Sequence, residues 1–108
     1  MTSITVIKED NRIIAFTCNG HAGYAKESED IVCAAISMLV INTINSIEAL
    51  TSTKPIVEAD QESGYIHCSF EDDITDDATL LMEAMLLGLS QIKEQYGMKY
   101  IDVKIKEV

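Results

Sequence analysis

The chain predicts an α+β domain, a mixed, mainly antiparallel five-stranded sheet with two helices, on three observations. Short β-branched runs come in pairs around turn-forming residues, two long segments carry apolar residues at helical spacing, and the last nine residues alternate apolar with polar. Residues 1–108 then form a single domain, long enough for a real core and short of the size at which a second is expected. The order of elements is hairpin, helix, hairpin, helix, strand.

Residues 4–7 and 12–18 are β-branched and apolar, separated by Glu9, Asp10 and Asn11, which favour a turn. Asn19, Gly20 and Gly23 then break the strand, and the polar run 26–30 has no periodicity, so a loop follows. From about residue 30 to 50 the spacing of Ala34, Met38, Ile41, Ile44 (or Asn45) and Glu48 is helical. The first three turns are apolar nearly all round, which predicts a central helix buried on most sides, with Ser28 or Asp30 as its cap. Pro55 precludes further helix, and 56–60 and 65–70 flank the turn QESG as a second hairpin. Thr75 is a good cap, with Asp76 and Asp77 placed to complement a helix dipole. Leu81, Met85, Leu89, Ile92 and Tyr96 form the stripe of that second helix, and Gly97 stops it. Gly88 within it marks a close helix crossing or a tolerated glycine. In the final strand Ile101, Val103 and Ile105 share one face and Asp102, Lys104 and Lys106 the other.

Composition narrows the function. The net charge of −10, from 18 acidic and 8 basic side chains, disfavours nucleic acid and anionic membrane surfaces as partners and favours basic peptides and proteins, or simply solubility. The longest apolar stretch, 31–41, is eleven residues, too short for a bilayer. The N-terminal MTSITVIKED lacks a secretory pattern, so a cytoplasmic location is expected. Three cysteines without a CxxC pair fit neither a disulfide framework nor a zinc knuckle.

One stretch, GHAGYAKESEDIVCAAIS, carries candidate chemistry. Cys33 falls in the first turn of the predicted central helix, where free amides and the helix dipole favour a thiolate. Beside Ala34 and Ala35 it also fits plain packing. His21, between glycines on the loop, is twelve residues upstream and within loop-closure range of Cys33. It is either a base for that thiol or a solvent-facing loop histidine. Gly20 suits close backbone approach or a turn. Asp30 either orients His21 or caps the helix, and Ser37, one turn beyond Cys33, either faces the site or bonds its own backbone. The first amides of the helix are candidate oxyanion donors. Cys18 and Cys68 read as core residues, and His67 points away from Cys68, so the two cannot share a metal. No metal and no cofactor are expected.

GHA followed by DIVCAAIS, together with the later MEAMLLGLSQIKEQYG, resembles the ribosomal-processing cysteine protease family, Prp, over nearly the whole chain. The resemblance implies an endopeptidase that removes a short N-terminal extension from large-subunit ribosomal protein twenty-seven. It places the catalytic pair on His21 and Cys33 and further motif positions on Gly20, Asp30 and Ser37. It also implies a homodimer, and a loop at 22–29 that orders over the substrate. Ser28 stands where many members have glycine. The competing class is a non-catalytic dimeric adaptor gripping an extended peptide at a sheet edge, and a third is a redox sensor using Cys33.

Overall fold

The computed structural model describes residues 1–21, 30–60 and 62–108. The chain runs β1 (Thr2–Glu9), β2 (Arg12–Asn19), α1 (Ile31–Leu50), β3 (Pro55–Asp60), β4 (Tyr65–Phe70), α2 (Asp76–Tyr96) and β5 (Ile101–Glu107), the expected order. The strands form one sheet in the spatial order β3-β4-β2-β1-β5. Three ladders are antiparallel, and β5 lies parallel to β1, delivered there by the crossover through α2. The fold is therefore α+β, as predicted.

Local chemistry accounts for the joints. Asp10 and Asn11 both take positive φ, 50° and 64°, the geometry of the tight turn whose twist matches paired strands, in residue types that tolerate it. Thr75 caps α2 through its side chain, Asp76 and Asp77 occupy the first turn, and Gly97 at φ 107° ends the helix with its N–H on the Lys93 carbonyl.

The pleat puts alternate residues on the helix side of the sheet. Ile4 lies across from Cys18 and beside Val103, and Phe16 lies across from Val6 and Cys68. These pack with Val32, Ile36, Val40 and Ile47 of α1 and Met82, Met85 and Leu89 of α2 into a single buried core. A β-carbon built on Gly88 would come within 2.6 Å of Leu39 Cδ2, so Gly88 marks the close crossing of α1 and α2 within the chain.

The burial expected of α1 on most sides needs correction. The helical stripe picked out on α1 is largely the exposed one: Ala34, Met38, Ile41, Asn45 and Glu48 are exposed, and of that set Ile44 alone is buried. The core face is Val32, Ile36, Val40, Thr43, Ile44 and Ile47. Because α1 is apolar nearly all round, spacing alone cannot choose its inner face, and the helix is not buried on most sides. At the C-terminus, Ile105 points with Ile101 and Val103 but is 56% exposed, since the strand outruns the helices that cover its beginning. The whole of α1, at 20 residues and mean hydropathy 1.7, is long and apolar enough to cross a membrane by length and composition, which the count over 31–41 does not capture. In this fold one side of it packs into the core between sheet and α2.

Candidate active site

The site forms where the end of β2, the start of α1 and the β3–β4 turn converge. Gly20 leaves β2 at φ 90°, a conformation that costs an L side chain about 1 kcal/mol or more, and a β-carbon there would lie 2.8 Å from the Met1 carbonyl oxygen. This tight exit sets the next residue, His21, over the first turn of α1. Asp30 is the N-cap of that helix: its Oδ1 accepts the Cys33 amide at 2.9 Å, and its backbone oxygen accepts the Ala34 amide at 3.0 Å. Asp30 is buried, so this cap is shielded from competing water.

The two candidate chemical groups meet. Cys33 Sγ lies 3.6 Å from His21 Nδ1, hydrogen-bond range for sulfur, with both side chains partly accessible. On the other side of the ring, His21 Nε2 lies 2.9 Å from the Glu62 carbonyl oxygen. A carbonyl only accepts, so the proton sits on Nε2 and Nδ1 presents a lone pair to the thiol. The backbone of the β3–β4 turn is thus placed where an orienting carboxylate stands in a triad. Gly64, at φ 67°, allows this approach: a β-carbon there would fall 2.6 Å from the Gly20 carbonyl oxygen and 3.3 Å from His21 Cε1.

Glu62 and Gly64 are the functional positions that sequence reasoning missed. Their contribution is backbone position, and the one visible trace is the glycine in QESG, read there only as a turn former. Asp30 is seen as a cap, with Cys33 as its bonding partner. That bond narrows the oxyanion expectation, because among the first amides of α1 those of Cys33 and Ala34 already donate to Asp30. The expected cap Ser28 and the loop at 22–29 lie outside the described residues.

A groove of about 480 Å³ opens from this pair and runs between α1 and the β3–β4 hairpin. Ser37 lines it one turn beyond Cys33, followed along the same face of α1 by Ile41 and Asn45. Val57 and Ala59 of β3 form the opposite wall. Of the stripe picked out by its helical spacing, Ile41, Ile44, Asn45 and Glu48 therefore line the groove.

The other cysteines differ in kind. Cys18 and Cys68 are buried, and burial pushes both thiols up to about 11, with the nearby Cys33 adding to the shift at Cys18. His67 sits on the opposite face of the sheet from Cys68, with Nδ1 2.8 Å from Thr17 Oγ1. Among the described residues no group of three or more His, Cys, Asp and Glu side chains is placed to hold a metal ion.

The arrangement is that of a thiol with a general base beside a peptide-sized groove. Comparison with known proteins gives the same class. Residues 1–102 match the family described as Cysteine protease Prp. The ribosomal processing cysteine protease Prp of Staphylococcus aureus is 31% identical over 91 residues, 84% of this chain and 86% of that protein. Its Bacillus subtilis counterpart is 29% identical, over 81% of each. A crystal structure of the S. aureus protease with a covalently linked product peptide superposes with a TM-score of 0.91 at 30% identity, covering 98% of this chain and all of the other. A Streptococcus mutans protein superposes at 0.85, also at 30% identity, over the whole of this chain and 96% of its own. An enzyme thus takes the place of the adaptor considered from sequence, and the chain belongs to the Prp family of cysteine proteases.

Proposed function

We propose that this protease removes the short N-terminal extension of large-subunit ribosomal protein twenty-seven, using Cys33 as nucleophile and His21 as base. The observation that carries the assignment of roles is the 3.6 Å approach of Cys33 Sγ to His21 Nδ1, with Glu62 fixing the tautomer from behind. His21 Nδ1 takes the thiol proton as the sulfur attacks the scissile carbonyl carbon. The tetrahedral adduct then collapses, expelling the amine, which receives that proton from His21, and leaving a thioester on Cys33. Water, deprotonated by the same nitrogen, attacks the thioester and releases the new carboxylate, restoring the thiol. With the Cys33 and Ala34 amides engaged, the oxyanion relies on other donors. Gly20 and Asp30 act on position, one turning the chain at His21 and the other seating the helix under Cys33. Ser37 and the rest of the groove wall hold the extended peptide.

The substrate assignment draws on the names of the S. aureus and B. subtilis relatives, on the sequence resemblance, and on charge. A chain of net charge −10 attracts a basic ribosomal protein and is repelled by ribosomal RNA. Cleavage accordingly takes place in the cytoplasm, on the free protein before assembly, without metal or cofactor. Exposed Leu80 and Leu87 share one face of α2 and supply apolar surface for the homodimer expected from the resemblance, which a solution mass at twice the chain weight would report.

The test is to mix the protein with an extended ribosomal-protein peptide and look for two fragments by mass. Cys33→Ala and His21→Ala are each expected to abolish cleavage with the fold intact. Continued turnover by the Cys33 variant would end the proposal.

A further inference from the structure

The groove has a charge pattern that the dyad does not need. Along its α1 wall, Cys33, Ser37, Ile41, Asn45 and Glu48 follow one another, so the wall passes from the nucleophile through a hydroxyl, an apolar step and an amide to a carboxylate. Across from it the wall is Val57 and Ala59. Among the described residues, the charged side chains lining the groove are Glu48 and Asp60, both acidic. Asp60 is committed to the β3–β4 turn, its Oδ1 accepting the Glu62 amide at 3.1 Å. Glu48 is exposed, at the end of the groove remote from the dyad.

We infer that Glu48 is a specificity-determining residue that reads a cation, either a lysine or arginine side chain or the peptide's own α-ammonium group, about seven residues upstream of the scissile bond. The spacing follows from geometry. Glu48 is fifteen residues beyond Cys33 on an unbroken helix, a rise of about 22 Å. An extended peptide advances about 3.3 Å per residue, so about seven residues span that distance. The direction follows from the proposed reaction, on which this inference rests. A short N-terminal extension can thread a narrow groove whereas the folded domain after it cannot, so the extension occupies the groove and its beginning arrives at Glu48. The inter-charge attraction at such an exposed site is modest and weakens with salt, which makes it a selector of substrate and a contributor to capture.

The experiment compares kcat/KM at low salt for peptides identical except for Lys or Gln at the seventh position upstream of the cut. A second pair ends at that position, with a free or acetylated N-terminus. Wild type is expected to prefer at least one cationic member by about twofold to fivefold. Glu48→Gln should erase that preference, and Glu48→Lys should reverse it in favour of a Glu-bearing peptide. The lysine pair and the terminal pair report separately which cation is read. Equal cleavage of cationic and neutral peptides by wild type, or a preference that survives Glu48→Gln, overturns the role of Glu48 and leaves the protease reading standing. Cleavage of none of the peptides by wild type overturns both.

Discussion

Replacing Gly64 with alanine tests whether a backbone carbonyl orients His21 as the proposed base. The added β-carbon would sit 2.6 Å from the Gly20 carbonyl oxygen, 3.0 Å from its carbon and 3.3 Å from His21 Cε1. Two of these atoms are backbone, so relief requires the β3–β4 turn to withdraw by about half an ångström or more. The Glu62 carbonyl rides on that turn, and its 2.9 Å bond to His21 Nε2 would stretch toward the limit of a hydrogen bond. The φ of 67° adds a left-handed penalty of about 1 kcal/mol. Stability should fall by about 2 kcal/mol, roughly 10 °C in Tm for a domain of this size. The larger effect falls on catalysis: once its tautomer and direction are loosened, His21 is a poorer base, and kcat/KM should drop about tenfold to a hundredfold at temperatures where the variant is fully folded. Gly97→Ala is the control. It carries larger backbone strain, at φ 107° and ψ 158° in a region essentially reserved for glycine, with nothing within 4 Å of the new carbon, so it should lose stability and retain activity. A folded Gly64→Ala enzyme with wild-type kcat/KM would refute the orienting role of the turn.

Alkaline pH offers a second check. The Cys18 and Cys68 thiols ionise near 11 in the folded state and near 9.0 when unfolded, so between those values the unfolded chain has released protons the native one retains. Their contribution to stability is complete below pH 9 and declines as pH rises toward 11, by up to about 1.4 kcal/mol per unit for each thiol. Urea titrations at pH 8 and 10 should show this decline, shallower in Cys68→Ala, and an equal pH slope in that variant would contradict the assignment. At the helix crossing, Gly88→Leu must displace Leu39 and should lower stability by about 2 kcal/mol, whereas an unchanged Tm would mean the crossing is looser than the 2.6 Å approach implies. On the substrate side, free basic ribosomal protein should be cut faster than the same protein in assembled subunits at physiological salt, and equal rates would sink the order proposed above.

Much of this molecule was legible in its residues. Each element is bounded by side chains whose local chemistry suffices: Asp10 and Asn11 for a turn with two positive φ angles, Thr75 and Gly97 for the ends of α2, alternation for β5. The resemblance in GHA and DIVCAAIS singled out His21 and Cys33 where spacing alone left them an open pair. Local signals also placed Cys33 near a helix start, because Asp30 is a capping residue type at the right offset. What these signals could not decide was anything requiring comparison of distant segments. The inner face of α1 depends on how β3, β4 and α2 lie against it, and a helix apolar on nearly every side carries no internal preference. Likewise the tautomer of His21 depends on a carbonyl forty-one residues away, and a carbonyl is common to every residue, so no side-chain pattern announces it. The residues determined which groups could react and which segments would be helix or strand. Tertiary packing decided that the thiol and imidazole meet, which way the ring points, and that Ile41, Asn45 and Glu48 of α1 line a groove, because each is set by long-range contact between surfaces that local sequence leaves degenerate.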